Sequence, residues 1–403
     1  MTVPKEVFVI AGARTPVGKF GGSLKDIRAR ELGIIVIKEI LKRAKINSNQ
    51  IDEVIFGNAR QAGNGPNIAR QISYFSGIPE YVPSYTVNKA CGSSLKAISL
   101  AAQSIKAEDC DVVLAGGTES MSNIPYLLMN ARWGYRLGDN ILVDSQYKDG
   151  IFCPLADCLM GATAENLVDK FNFTREQLDK YALRSQKLAE KAIKSGQFKD
   201  EIIPVEVNRK KEKIIFDTDE HPRFGMTMEK LAKLPPLYKK DGKVTAGNTC
   251  GINDAAAGVM LVSGEKVKEL NLKPLARVVS YASSAYDPKF MGLGPVGAIK
   301  KSLEKANLTV DDLGLIEINE AFSSQILGDI IMLDWDWEKN KLEDKLNIYG
   351  SGIALGHPVG ATGARIFVTL MYGLVKTRKK YGLAALCISG GQGDAIVIEN
   401  MTR

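Results

Sequence analysis

The chain has 403 residues, of which 45% are hydrophobic and 25% charged, a composition typical of a globular protein with more than one average domain. It has no run of about 18 apolar residues, which predicts that no helix crosses a membrane. The net charge of +7 is modest and the basic residues are scattered in short groups. That pattern disfavours a nucleic-acid-binding stripe and suits a small polyanionic ligand.

The first elements along the chain are typical of an α/β protein. Residues 7–11 form a β run, residues 28–44 repeat apolar side chains at helical spacing, and residues 51–57 form a second strand. The glycine-rich loop 11–23 lacks the residue order of a dinucleotide-binding or P-loop motif, so we assign it no phosphate-binding role.

A single cysteine marks the junction between the next strand and helix. Residues 81–87 are β-branched and aromatic, and apolar residues at helical spacing follow over residues 95–105. Cys91 lies between them, where the free N–H groups and dipole of a first helical turn favour a thiolate and suit an oxyanion. The alternative is a small buried cysteine beside a helix cap, and residues far downstream decide between the two.

The stretch from residue 121 to about residue 243 differs from the chain on either side. It mixes turn-rich loops with two amphipathic helices, predicted over residues 162–171 and 175–196, the second capped by Thr174. We interpret this stretch as an insertion that lies over a core formed by the rest of the chain.

An internal repeat indicates that this core is duplicated. Residues 37–58 align without gaps on residues 299–320, with matching apolar positions along the alignment. Residues 113–118 parallel residues 387–392, each an apolar strand that ends in paired glycines. Two matches in the same order and at nearly the same spacing predict two copies of one α/β unit.

Three polar residues of the second half stand out. His357 is bracketed by glycines, which let the backbone pass close to a ligand while holding one imidazole. Cys387 and Asn319 each lie at the end of an apolar strand, where open α/β sheets place their sites. For His357 alone, a hydrogen-bonded loop histidine is the usual alternative.

The six cysteines show no CxxC pair and no disulfide-framework spacing. Only Cys153 and Cys158 lie close together, with no histidine near them, so we predict no metal site. The N-terminus passes directly into a strand without the layout of a signal peptide. We therefore expect a cytoplasmic protein.

Together these stretches resemble the thiolases, over about residues 5 to 399. The residues that carry the resemblance occur in the order of that family's motifs: C-G-S-S (91–94), N-E-A-F (319–322), G-H-P (356–358) and C-I-S-G-G-Q-G (387–393), with D-E-V-I-F-G-N (52–58), N-I-A-R-Q (67–71), A-G-G-T-E-S-M (115–121), M-G-A-T-A-E-N (160–166), T-A-G-N (245–248) and M-G-L-G-P-V (291–296).

The resemblance implies an α/β thiolase fold, with duplicated βαβαβαββ-type halves in a five-layered α-β-α-β-α core and an inserted loop domain. Residues 1–120 would form the N-terminal half, residues 121–243 the loop domain over the active site, residues 244–270 the return to the N-terminal half, and residues 271–403 the C-terminal half. It also implies a homodimer or homotetramer.

The resemblance further assigns roles to four residues. Cys91 would take the acyl group from an acyl-CoA thioester, and His357 would accept the proton of that thiol. Cys387 would exchange the α-proton of acetyl-CoA, and Asn319 would hold a water that shares an oxyanion hole with His357. A thiolate is nucleophilic and leaves readily, and carbon–carbon bond formation needs a separate base, so these residue types fit the chemistry without a bound cofactor.

The resemblance places the remaining site residues around the substrate. A second oxyanion hole would use backbone N–H groups of Cys91 and of the Ser389–Gly390 turn. Residues expected to contact the acyl group or coenzyme A are Arg223 near the adenine, Cys250 at a position where a serine usually touches the pantetheine, Met160 at the acyl end, Leu159 where some relatives have a histidine, and Met291, Ala246 and Gly247.

The implied activity is the reversible Claisen condensation of two acetyl-CoA molecules to acetoacetyl-CoA and CoA. The first alternative is a 3-ketoacyl-CoA thiolase for longer chains, which Leu159 supports. A ketoacyl synthase is disfavoured because Cys387 occupies the position of a second histidine or an asparagine, and His221 and His357 are the two histidines present. A thiolase-like lipid-binding protein is the non-enzymatic alternative. Neither nucleic acid nor membrane is an expected partner.

Overall fold

The computed structural model of the chain describes residues 5–209 and 212–403. Its strands are β1 (Val7–Arg14), β2 (Gly18–Lys19), β3 (Glu53–Gly57), β4 (Ser84–Val87), β5 (Val112–Ser120), β6 (Tyr126–Leu128), β7 (Leu142–Asp144), β8 (Phe152–Cys153), β9 (Cys158–Leu159), β10 (Val205–Arg209), β11 (Glu212–Phe216), β12 (Asn253–Ser263), β13 (Ala276–Ala285), β14 (Leu313–Ile318), β15 (Tyr381–Ile388) and β16 (Gln392–Asn400).

The helices that connect and cover these strands are α1 (Ala29–Ala44), α2 (Ile68–Phe75), α3 (Ser93–Lys106), α4 (Met160–Phe171), α5 (Arg175–Lys194), α6 (Met228–Ala232), α7 (Gly264–Glu269), α8 (Gly294–Ala306), α9 (Ser323–Met332), α10 (Gly352–Leu355) and α11 (Thr362–Thr377). Helix α1 begins one residue after the predicted start. The carboxylate of Glu31 accepts a hydrogen bond from the Arg28 N–H (2.8 Å), which satisfies a free donor at that helix end.

The large strands form a sheet with the order β14-β15-β16-β13-β1-β12-β5-β3-β4, and β2 pairs with β12. Strands β3, β4 and β5 run parallel to one another, as do β14 and β15, while β12 and β16 are antiparallel to their neighbours. The short pairing of β1 with β13, at Phe8–Arg277 and Val9–Ala276, joins the strands of the two halves.

The order β1-β12-β5-β3 of the N-terminal half is repeated by β13-β16-β15-β14 of the C-terminal half, which confirms the predicted duplication, and β2 and β4 are additional strands of the first half. The paired glycines, however, do not correspond. Phe56 and Ile318 are matched in the repeat, and they pair with Gly116 and Ala385 respectively. Gly116 thus lies inside β5, whereas Gly390 lies in the turn after β15, so that part of the alignment is wrong in register.

Five layers of secondary structure follow from the alternation of side chains along the strands. Helices α3 and α11 lie in the middle, packed with one face of each half's strands. Helices α1 and α2 cover the opposite face of the N-terminal strands, and α8 and α9 cover that of the C-terminal strands. In β5, for example, Val113 packs against the middle layer and Val112 against the outer one, as a two-residue period requires.

The middle of the chain contributes two longer helices and short hairpins. Helices α4 and α5 confirm the two amphipathic helices expected there. Thr174 caps α5 by accepting a hydrogen bond from the Gln177 N–H (3.1 Å), and the Gln177 side chain accepts in return from the Thr174 N–H (2.8 Å). The remaining strands pair as hairpins: β6 with β7, β8 with β9, and β10 with β11.

Candidate active site

A cavity of about 310 Å³ opens where the carboxyl ends of both sets of strands meet the middle stretch of the chain. Cys91, His357 and Cys387, which are far apart in sequence, all line it. The structure therefore brings three of the four predicted catalytic side chains into one cavity.

Cys91 lies on a tight turn between β4 and α3. The residue before it, Ala90, has a positive φ of 46°, a conformation that costs energy for a non-glycine residue and is common at functional sites. The hydroxyl of Ser93 donates to the Ala90 carbonyl (2.7 Å), which holds this turn. A Cβ at Gly92 would lie 2.3 Å from Cδ1 of Ile388, so a larger residue there would displace this buried side chain.

The ionisation of Cys91 differs from the expectation. Helix α3 begins at Ser93, so Cys91 precedes its first turn instead of forming part of it. Burial raises the pKa of the Cys91 thiol, although the charge of Arg60 and the N–H groups of Ser389 and Cys91 lower it. The predicted preference for a thiolate is therefore wrong for the free protein, because the cost of burying the charge outweighs these groups.

His357 is held in a defined orientation by its own loop. Gly356 has a φ of 97°, and the His357 N–H donates to Oδ1 of Asn253 (2.9 Å). The ring Nδ1 lies 2.7 Å from Oγ1 of Thr362, and that hydroxyl lies 2.9 Å from the Pro358 carbonyl. A hydroxyl that donates to the carbonyl accepts from the ring, so we assign the proton to Nδ1 and leave Nε2 as an acceptor.

His357 is also kept neutral. Burial, together with the charges of Arg365 and Arg60, lowers its pKa to about 3. At neutral pH the site thus contains a buried thiol and a neutral imidazole with one free nitrogen, which is the resting state of a general base.

Asn319 follows the end of β14 and is fully buried beside His357. Its N–H donates to the Ala385 carbonyl (2.9 Å), and its amide lies 3.4 Å from Nδ1 of His357. Its Oδ1 is buried without a hydrogen-bond partner among the described residues. Asn319 does not line the cavity; it lies behind the imidazole.

Cys387 is the last but one residue of β15 and is buried between Met291 and Phe322. Burial raises the pKa of Cys387 well above its usual value, with smaller contributions from Cys91 and Asp329. Cys387 is therefore a thiol at neutral pH. It holds a proton that it can give to a reacting carbon.

The other predicted residues divide into two groups. Those that line the cavity are Ser389, Arg223, Cys250, Met160, Met291 and Ala246. Those that do not are Gly390, Leu159 and Gly247. Leu159 is the N-cap of α4, Gly247 packs against Leu231 and Leu234, and Gly390 lies in the turn between β15 and β16 with a φ of 83°.

Three residues that the sequence did not single out belong to this site: Arg60, Glu119 and Thr362. Glu119 accepts hydrogen bonds from Ala59 N–H (3.1 Å) and Gly360 N–H (2.8 Å), which ties the loop after β3 to the histidine loop. Burial raises the pKa of Glu119 to about 6. Glu119 lies in the A-G-G-T-E-S-M motif, so the sequence could have indicated it as a site residue. Arg60 and Thr362 are recognised only from their contacts in the structure.

Within residues 5–209 and 212–403, no helix has the length and apolar character needed to span a membrane. In the same part of the chain, no three His, Cys, Asp or Glu side chains are grouped so that they could hold a metal ion.

Comparison with known proteins identifies the family. A family model described as "Thiolase, N-terminal domain" matches residues 7–265, and one described as "Thiolase, C-terminal domain" matches residues 272–400. The chain belongs to the thiolase family. This thiolase is 53% identical to an acetyl-CoA acetyltransferase of Syntrophomonas wolfei over 399 residues, which cover 98% of the chain and 99% of the relative.

Solved structures agree with the fold of this thiolase. An acetyl-CoA acetyltransferase of Bacillus anthracis superimposes with a TM-score of 0.95 at 44% identity, covering 99% of this chain and 100% of the other. A human mitochondrial 3-ketoacyl-CoA thiolase superimposes with a TM-score of 0.94 at 42% identity, covering 98% and 99%. The five-layered thiolase fold is thereby confirmed, and the chain is an acyltransferase.

Proposed function

We propose that this thiolase interconverts two molecules of acetyl-CoA with acetoacetyl-CoA and CoA through an acyl group on Cys91. The observation that carries the proposal is that one cavity is shared by a thiol, a neutral imidazole and a second thiol, those of Cys91, His357 and Cys387. These are the groups that nucleophilic acyl transfer and exchange of an α-proton require.

In thiolysis, Nε2 of His357 accepts the thiol proton of Cys91 as the sulfur attacks the 3-oxo carbon. The backbone N–H groups of Cys91 and Ser389, which lower the pKa of this thiol, would stabilise an oxyanion one bond away. When the carbon–carbon bond breaks, the departing enolate of acetyl-CoA takes the proton of Cys387. The incoming CoA thiol then attacks the acyl-cysteine and gives its proton to Cys387. The sulfur of Cys91 leaves and takes back the proton held by His357, and the reverse steps give condensation.

Asn319 supports the histidine from behind, which agrees with a role in holding a water beside it. Its unpartnered Oδ1 is buried next to the ring, and buried polar atoms of this kind are usually satisfied by an ordered water. The coenzyme A portion is assigned to the side of the cavity that contains Arg223 and His221. Cys250, whose pKa burial raises to about 12, contacts it as a neutral thiol.

Two variants test the roles of the cysteines. Cys91→Ser should abolish acylation by acyl-CoA, because a serine hydroxyl is a far weaker nucleophile than a thiolate. Cys387→Ser should still form the acyl-enzyme and lose condensation and thiolysis. Mass spectrometry of each protein after incubation with acetyl-CoA measures the adduct on the Cys91 peptide. Normal turnover by Cys387→Ser would remove that residue from the mechanism.

A preference for short acyl chains is part of the proposal. The cavity of about 310 Å³ is at the small end of the roughly 300–1,000 Å³ typical of ligand sites, and Met160 narrows it. Two observations favour the alternative, longer chains: the apolar side chains of the wall, among them Ile151 and Phe322, and the likeness to a 3-ketoacyl-CoA thiolase.

A preference for short chains and one for long chains predict different values of kcat/KM when the acyl chain of the substrate is lengthened step by step. An open apolar pocket gains about 0.8 kcal/mol for each buried methylene, so kcat/KM would rise steadily from acetoacetyl-CoA to 3-oxodecanoyl-CoA. We expect kcat/KM to fall beyond about six acyl carbons, because the added methylenes meet the wall. A rising series would assign the enzyme to longer substrates.

Assembly as a homodimer or homotetramer, in a reducing compartment such as the cytoplasm, completes the proposal. The segment 126–142 exposes large apolar side chains, including Trp133 at 82% and Leu137 at 99% exposure. Such patches are typical of interfaces between subunits. Analytical ultracentrifugation of the wild type and of Leu137→Asp tests the oligomeric state; a wild-type monomer would contradict the proposal.

A reducing compartment follows from the need for Cys91 and Cys387 as thiols.

A further inference from the structure

Arg60 is a cation that lines the catalytic cavity but takes no part in the proposed proton-transfer and acyl-transfer steps. It lies in the loop after β3 and lines the cavity together with Cys91 and His357. Its backbone is held on both sides, because its N–H donates to Oε1 of Glu119 (3.2 Å) and its carbonyl accepts from Nδ2 of Asn64 (2.9 Å). The loop therefore fixes the point from which the side chain extends.

The guanidinium of Arg60 is packed but not neutralised. It lies against Gly150, where a Cβ would come within 2.8 Å of its Nε and Nη2. Its Nε is buried and has no hydrogen-bond partner among residues 5–209 and 212–403, and no ion pair of Arg60 is found in that part of the chain. The carboxylate of Glu119 is already occupied by backbone and amide N–H donors. Arg60 thus brings a positive charge to the cavity without a direct ion pair in the described part of the chain, and that charge also lowers the pKa of Glu119.

Two other cations near the site have partners of their own. Lys89 pairs with Asp394 at 2.6 Å. Arg365 is fully buried and donates to Oγ of Ser351 (3.2 Å). Arg223 also lines the cavity, but its charge lowers the pKa of His221. Of these cations, Arg60 is the one whose charge lowers the pKa of the Cys91 thiol.

We propose that Arg60 stabilises the thiolate of Cys91. Held against Gly150, its guanidinium offsets the free-energy cost of ionising this buried thiol during acyl transfer. The inference rests on the acyl transfer proposed above. A positive charge near a thiol favours its ionised form, and more strongly where water is excluded. Arg60 also lowers the pKa of the Cys91 thiol and that of His357, so it promotes the nucleophile while keeping the base unprotonated before substrate arrives.

The remaining titratable groups that face Cys91 do not provide this charge. They are Glu119, which raises the pKa of Cys91, the neutral imidazole of His357, and the protonated thiols of Cys250 and Cys387. The pH dependence of Cys91 should consequently respond more to Arg60 than to any of these groups.

The test is the pH profile of alkylation at Cys91, followed by peptide mapping after brief exposure to iodoacetamide. In Arg60→Met we expect the pKa of Cys91, read from this profile, to rise by about one unit, and the alkylation rate at pH 7 to fall about tenfold. A change of about one unit is at the small end of the shifts that a nearby opposite charge causes. Arg60→Lys should restore most of the rate. In turnover, kcat should fall with a much smaller change in KM.

Two further variants keep the inference testable. Lys301→Met, on an exposed position of α8, removes one positive charge outside the cavity and should leave the profile unchanged. Gly150→Ala keeps the charge of Arg60 but displaces it, and should shift the profile in the same direction as Arg60→Met. An unchanged profile in Arg60→Met or Gly150→Ala would overturn the proposal. Because alkylation needs no turnover, this outcome is independent of the acylation test on Cys91→Ser.

Discussion

At the scale of single residues, the state of His357 depends on its neighbours. Thr362 accepts from Nδ1 at 2.7 Å while donating to the Pro358 carbonyl, and this leaves Nε2 with a free lone pair on a ring that lines the cavity. The same burial that lowers the pKa of His357 raises that of Cys91. A proton transfer between two neutral groups, coupled to substrate attack, therefore fits this site better than a preformed ion pair.

Thr362→Val should consequently impair catalysis more than binding. Valine has nearly the same shape but removes the acceptor for Nδ1, so the imidazole loses its tautomer and orientation. We expect kcat to fall by about 10- to 100-fold with KM nearly unchanged. Steady-state kinetics measure this, and Thr362→Ser, which keeps the hydroxyl, should recover most of kcat. Equal activity in the valine variant would contradict the assigned tautomer.

At the scale of elements, the charged segment 334–345 packs against α5. Trp337 meets the ring of Tyr181 edge-on at 6.4 Å, and the Arg184 guanidinium lies 5.3 Å from the indole. The hydroxyl of Tyr181 in turn donates to the buried carboxylate of Glu320 (2.9 Å), the residue after Asn319. The segment thus fixes α5 on the C-terminal half next to the site.

Trp337→Ala should therefore lower the stability of the fold. The free energy of unfolding should fall by about 2 kcal/mol, because the variant loses the edge-on contact with Tyr181, the cation–π contact with Arg184 and part of the buried area. Urea denaturation measures it. Lys339→Ala, an exposed position in the same segment, is the control and should change the free energy by less than about 0.5 kcal/mol. Equal effects of the two substitutions would show that the segment does not anchor α5.

At the scale of the whole molecule, both histidines are neutral, His357 buried and His221 half-buried. Burial lowers the pKa of His357 to about 3 and that of His221 to about 4. In the unfolded chain a histidine titrates near 6.5. As the pH falls below about 6.5, the unfolded state binds protons that the folded state does not, so stability decreases towards acid pH.

His357→Asn should reduce this loss. Between pH 7 and pH 5 the wild type should lose about 2 kcal/mol of unfolding free energy more than the variant, since each pH unit below 6.5 costs about 1.4 kcal/mol for such a histidine. Chemical denaturation at the two pH values measures the difference, in which the contributions of buried carboxyl groups cancel. Parallel pH dependence in both proteins would mean that His357 is not buried in neutral form.

The amino-acid sequence alone predicts the type of the main elements, the duplication of the core and the residues proposed to react. Helices α1 and α5 were predictable because apolar spacing and capping residues such as Thr174 are local features. Cys91, Asn319, His357 and Cys387 were recognisable because each lies in a distinctive motif at a strand end or glycine-rich loop.

The tertiary structure decided what surrounds those residues. The sequence predicts a thiolate at Cys91 from the helix start that follows it, yet Cys91 precedes the first turn of α3 and its pKa is raised, because burial outweighs the local effect. Gly247 belongs to a family motif and Leu159 directly precedes one, but neither lines the cavity, whereas Arg60 does. A motif specifies which residues lie near one another along the chain. Orientation, desolvation and charge at the site are set by contacts between distant segments, which local patterns do not contain.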